Sequence, residues 1–143
     1  MKKLIVPVML SALAFSTPSF ASHPMCGKTE LAELMGDMKD SMKAVKKAVK
    51  SGNIGEVSNI ANNLLTAVNQ STDLVPLAIS DQKSLSAEQQ ADFKKYQKGM
   101  EYLKSAVTEL ASAQDLPAIK AALGKIGKAS KKGHKAFKMD CDD

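Results

Sequence analysis

Three residue types in this 143-residue chain carry chemistry by their kind and placement: two histidines, a set of methionines and two cysteines. His134 lies in Lys131-Lys132-Gly133-His134-Lys135-Ala136-Phe137-Lys138, which closes the last helical run, and it is the histidine that falls inside a regular pattern. Met35, Met38 and Met42 recur at three-and-four spacing in the first run. An imidazole and a thioether together form an axial pair for haem iron, with the thioether raising the reduction potential. A row of thioethers alone suits Cu(I) instead. No serine–histidine–acid or paired-carboxylate pattern falls on an inner face, so hydrolytic catalysis is not expected and the chain does not read as an enzyme.

Four amphipathic runs must position these residues. The first spans Thr29 to Lys50, with Leu31, Leu34, Met35, Met38, Met42, Val45 and Val49 on one stripe. Thr29 is its N-cap and lysines fill its last turn, where the helix dipole favours them. The second spans Ile54 to Asp73, with Val57, Ile60/Ala61, Leu64/Leu65 and Val68 facing inward and Pro76 just beyond its end. The third opens at the capping box Ser86-Ala87-Glu88-Gln89 and carries Phe93, Tyr96, Met100, Leu103, Val107 and Leu110. The fourth opens at Asp115-Leu116-Pro117, and Ile119, Leu123, Ile126, Ser130, His134 and Phe137 share its inner face. No segment alternates with period two. The expected fold is all-α, an antiparallel up-down-up-down four-helix bundle. Gly99, Ala129, Ser130 and Gly133 are small enough to leave room for a ligand between facing helices.

Cys26 precedes the first run and Cys141 follows the fourth. In an antiparallel bundle those ends are neighbours, so one disulfide is expected. The bridge sets a common origin for depth. His134 then lies about 10 Å from it and Met35 about 13 Å, at 1.5 Å per helical residue, against about 18 and 24 Å for Met38 and Met42. Met35 is thus the methionine nearest the level of His134. His23 lies before the patterned region and reads as a tail residue.

Met1-Lys2-Lys3, the apolar run Leu4 to Phe15 and Ser19-Phe20-Ala21 form a signal peptide over 1–21, leaving a single domain over 22–143. The apolar run is shorter than the about 20 residues of a spanning helix, so no membrane anchor is expected after cleavage, and the periplasm is the expected compartment. Without Lys2 and Lys3, 18 lysines face 15 carboxylates. There is no arginine, the residue on which phosphate and base-edge recognition most depend, so nucleic acid is not an expected partner. Phe93, Tyr96 and Tyr102 lie within ten residues, and Phe137 is beside His134. Such a grouping suits a flat ligand as well as ordinary core filling.

The stretches Leu31 to Met42, Asp92 to Met100 and Ser130 to Lys138 resemble the soluble cytochrome b-562 family of periplasmic four-helix haem proteins. The resemblance implies a non-covalent haem b near the bundle end, with Met35 and His134 as axial ligands. Tyr96 and Met100 would pack against the porphyrin, and Ser130, Phe137 and Lys138 would complete its pocket. Better-known members carry an aromatic where this chain has Met100, and arginines where it has Ser130 and Lys138. The terminal cysteine pair is an addition. A Cys-x-x-Cys-His pentapeptide is absent, so covalent c-type attachment is not expected. The implied activity is electron transfer with a periplasmic redox partner, an acidic one if Lys131, Lys132, Lys135 and Lys138 steer it. Two other readings stand beside it: a copper-binding module built on Met35, Met38 and Met42, and a cofactor-free helical interaction protein.

Overall fold

A computed structural model describes residues 23–139 and 141; the signal segment expected over 1–21 and the start of the domain at residue 22 lie outside them. The described residues form four helices and no strand: α1 (Glu30–Lys50), α2 (Ile54–Ser71), α3 (Ala87–Ser112) and α4 (Leu116–Phe137). None is long and apolar enough to cross a membrane.

The ends follow from local chemistry. Thr29 accepts a hydrogen bond from the Ala32 amide, and Asp115 one from the Ala118 amide. Ser86 and Gln89 form a reciprocal capping box on α3. Each satisfies a first-turn N–H that the helix itself leaves unpaired. Gly52, at φ +78°, turns the chain from α1 into α2, a conformation without steric penalty only for glycine. α2 ends at Ser71, two residues earlier than the periodicity alone suggests. Ser71 is fully buried there, and its hydroxyl bonds back to the Ala67 carbonyl at 2.8 Å.

The core joins Val45, Val57, Leu64, Val68, Val107, Leu110 and Ile119 from all four helices. α1 packs on α2, α2 on α3 and α3 on α4. Cross-links fix the sense of the pairs. Ser58, early in α2, donates to the Ala111 carbonyl late in α3 at 2.8 Å. The Tyr96 hydroxyl, early in α3, donates to the Ser71 carbonyl at the end of α2 at 2.8 Å. The same ring meets Phe137, at the end of α4, edge-on at 5.6 Å. α2, α3 and α4 therefore run antiparallel in turn. α1 and α4, which would close the ring, are not a packed pair.

Cys26 and Cys141 are disulfide-bonded, with Cα atoms 5.6 Å apart. His23 is not a loose tail. Its Nε2 lies 3.3 Å from Asp81 Oδ2 in the α2–α3 connection, and its Nδ1 accepts from the Met25 amide at 3.2 Å.

Candidate functional site

Between α1 and α4, where packing is missing, lies a cleft of about 1550 Å³. That exceeds the roughly 300–1,000 Å³ of ordinary small-molecule sites. Its walls are α1 from Leu31 to Lys46 and α4 from Ile126 to Phe137; α3 supplies the floor with Tyr96, Met100 and Leu103, and Leu64 of α2 lies behind. The disulfide stands at one end.

Every residue expected at the site lines this cleft: Met35 from α1, His134, Ser130 and Phe137 from α4, Tyr96 and Met100 from α3, and Lys138 just past α4. The periodicity that sets Met35 on the α1 stripe also turns it toward the opening, where it is half-buried. Met38, one turn on, is 6% exposed and belongs mainly to the core.

His134 differs from the expectation in one respect. It lines the cleft, yet its side is exposed to solvent rather than buried in a bundle interior. The reason is the cleft itself: α1 and α4 are not closely packed here, so the inner face of α4 near its end opens onto the cleft rather than onto a sealed core.

The aromatic grouping is partly realised. Phe93 stacks on Tyr96 with centroids 6.0 Å apart, and Tyr96 meets Phe137 edge-on. Tyr102 stands apart on the rim, 52% exposed. Burial pushes the Tyr96 phenol above its ordinary range. It therefore stays protonated and holds its hydrogen bond to Ser71. That bond fixes the ring at the end of the cleft floor.

Small residues also line the cleft. Gly36, Gly99, Gly127 and Gly133 line it, and a Cβ built at any of them meets no atom within 4 Å. The same holds at Gly55 and Gly124, which are outside the cleft; what distinguishes the four is their place on its walls. A glycine inside a helix costs roughly 0.5–1 kcal/mol relative to alanine, and at these four positions the protein itself has room for the methyl. Sequence reasoning found Gly99 and Gly133 but missed Gly36, beside Met35, and Gly127. Interior glycines on an apolar face were the available signal.

A flat, largely apolar group with a metal at its centre fits this donor set. The walls offer a thioether and an imidazole from different helices, the floor is aromatic and thioether, and the mouth carries ammonium groups for acidic substituents. A closed site of several histidines, cysteines or carboxylates is not what the described residues form.

Fold and cleft together define a helical-bundle protein with a ligand slot between its first and last helices. Residues 30–138 match the family model for cytochrome b562, and the chain belongs to that family. The family comprises haem-binding electron-transfer proteins, not enzymes, and its cofactor is haem b. Comparison with curated proteins and with solved structures returns no match.

Proposed function

We propose that this chain is a periplasmic electron-transfer protein that binds one haem b non-covalently, with Met35 and His134 as the axial ligands and a periplasmic redox protein as partner. The observation that carries the reading is the α1–α4 cleft, lined by both residues from opposite walls. When bound, the haem supplies a one-electron couple.

The chain's own residues set its surroundings. Met35 would offer a neutral, soft sulfur, which favours the reduced state. His134 would offer its neutral imidazole. Tyr96, Met100 and Phe137 would cover the ring faces and keep water from them. Lys138, near the disulfide, and the hydroxyl of Ser130, about one turn farther from it than His134, would meet acidic substituents. Lysine does so as a point charge rather than a fork. Met35 and His134 would then fill both coordination positions, and no open site would remain for substrate chemistry. The Cys26–Cys141 bond suits an oxidising compartment, in keeping with export directed by residues 1–21 and a mature domain over 22–143.

An absorption spectrum of periplasmic protein, oxidised and then reduced with dithionite, tests the proposal. Sharp reduced α and β bands from acid-extractable haem are expected. Met35→Ala and His134→Ala should each convert the spectrum to a different ligation state, whereas Met42→Ala should leave it unchanged. A featureless spectrum that persists after hemin addition would sink the reading. Because Met35, Met38 and Met42 all line the cleft, Cu(I) binding by the thioether row would then be measured next.

A further inference from the structure

The cleft mouth has a charge pattern that the cofactor alone does not use. Nine lysines line it, and among the described residues no carboxylate does, although the chain carries 15 carboxylates in all. The lysines come from both walls. Lys39, Lys43 and Lys46 stand on α1, and Lys128, Lys131 and Lys132 on α4. Sequence reading grouped only the α4 set, because α1 and α4 are distant in the chain. Folding sets the two groups on opposite sides of one opening. Asp40 partly offsets Lys43 through a 2.7 Å ion pair and Asp92 partly offsets Lys95 at 2.8 Å; among the described residues Lys39, Lys46 and Lys128 form no ion pair of that kind.

We infer that this lysine rim is a docking surface for the acidic face of a protein redox partner. The inference rests on the electron-transfer reading above and deepens it by naming the partner's chemistry and where it sits. A one-sign rim around a low-dielectric cleft focuses the field outward and speeds encounter with an oppositely charged body by about 10- to 1,000-fold. Lysine, strongly hydrated and without a fork, favours rapid release over bidentate capture. Exposed Tyr102 sits on the same rim and gives the contact an aromatic anchor of the kind that dominates protein interfaces. A lipid surface fits less well. Among the described residues, Tyr102 is the one exposed large apolar side chain on the rim, so the rim itself offers a bilayer little to take up.

The test compares two triple variants of equal charge change in the full-length, haem-loaded protein. One is Lys39→Glu, Lys46→Glu, Lys128→Glu on the rim; the other is Lys83→Glu, Lys94→Glu, Lys120→Glu away from it. A Lys→Gln rim set serves as a second variant should the charge reversal disturb folding. Oxidation of the reduced protein by hexacyanoferrate(III) should slow about tenfold in the rim variant and less than about twofold in the control. Oxidation by tris(phenanthroline)cobalt(III) should move in the opposite direction. Labelled decaglutamate should bind wild type and lose affinity in the same order, with the Lys→Gln set intermediate and all binding weakened by salt. Equal effects of rim and control variants would overturn the surface in favour of net charge alone. Tighter binding to phosphatidylglycerol vesicles than to decaglutamate would overturn it in favour of a membrane. Absence of a haem spectrum would sink the electron-transfer reading, while decaglutamate binding still reports on the rim.

Discussion

Replacing both cysteines, Cys26→Ser with Cys141→Ser, should remove a large part of this protein's stability. The bond spans 115 residues of sequence, almost the whole described chain. In the chain-entropy account, closing a loop of that length restrains the unfolded state by about 5 kcal/mol at 25 °C. Total stability of a domain is roughly 5–15 kcal/mol, so the variant is left marginal. The native side offers little compensation, since α1 and α4 are not closely packed on each other. With a urea slope of roughly 1–3 kcal/mol per M, the midpoint should fall by about 2 M or more. The slope itself should rise, because the unbridged unfolded chain exposes more surface. Urea melts followed by helical circular dichroism, on oxidised wild type, dithiol-reduced wild type and the variant, measure both quantities. Reduced wild type should match the variant. A midpoint shift under about 0.3 M would refute the reasoning, by showing that the bond restrains little in the unfolded chain.

Three further perturbations probe particular contacts. Tyr96→Phe removes the 2.8 Å bond to the Ser71 carbonyl and should lower stability by about 1 kcal/mol near neutral pH, read from denaturant melts. Because burial raises the Tyr96 phenol in the folded state, the unfolded chain binds fewer protons once pH exceeds about 10. Wild-type stability should therefore fall with rising pH above that point, and part of that fall should be missing in Tyr96→Phe. Gly99→Ala places a methyl where nothing lies within 4 Å, so the haem-free protein should gain roughly 0.5–1 kcal/mol in thermal melts; Gly99→Leu should fold yet take up hemin more weakly in a spectroscopic titration. Ser58→Ala loses the 2.8 Å bond to the Ala111 carbonyl that ties α2 to the end of α3, and should lower the urea-derived stability by about 1 kcal/mol.

Helix count, caps and inner faces were legible because each is a local property. Thr29, Ser86 and Asp115 were read as caps from residue type and spacing, and each side chain makes its capping bond. The large inward residues announced themselves by period, as did Ala61 on the α2 stripe, whereas buried Ala48, Ala106 and Ala122 did not, since alanine is equally at home on a helix surface. The disulfide was legible because antiparallel topology brings distant ends together. What one helix's periodicity does not encode is how far apart two inner faces stand. So His134 was expected to be buried, and it is exposed. The pairing of His23 with Asp81 escaped for a similar reason: 58 residues separate them, and neither lies in a periodic segment.

The position of the cleft follows from how the chain is joined. Short connections hold α1 to α2 and α3 to α4, and the hydrogen bonds of Ser58 and Tyr96 hold α2 to α3. The seam between the first and last helices has no connection to close it. It can therefore open without breaking a turn, and here it is lined by glycines, thioethers and aliphatics such as Leu31 and Ile126. The disulfide fastens the seam at one end only, which limits how far the walls part while leaving their faces accessible. A ligand in that seam would supply the packing that α1 and α4 lack, and so become part of the core. On this view a cofactor in the seam and the bridge at its end would answer one physical problem, a four-helix bundle whose first and last helices are not closely packed on each other.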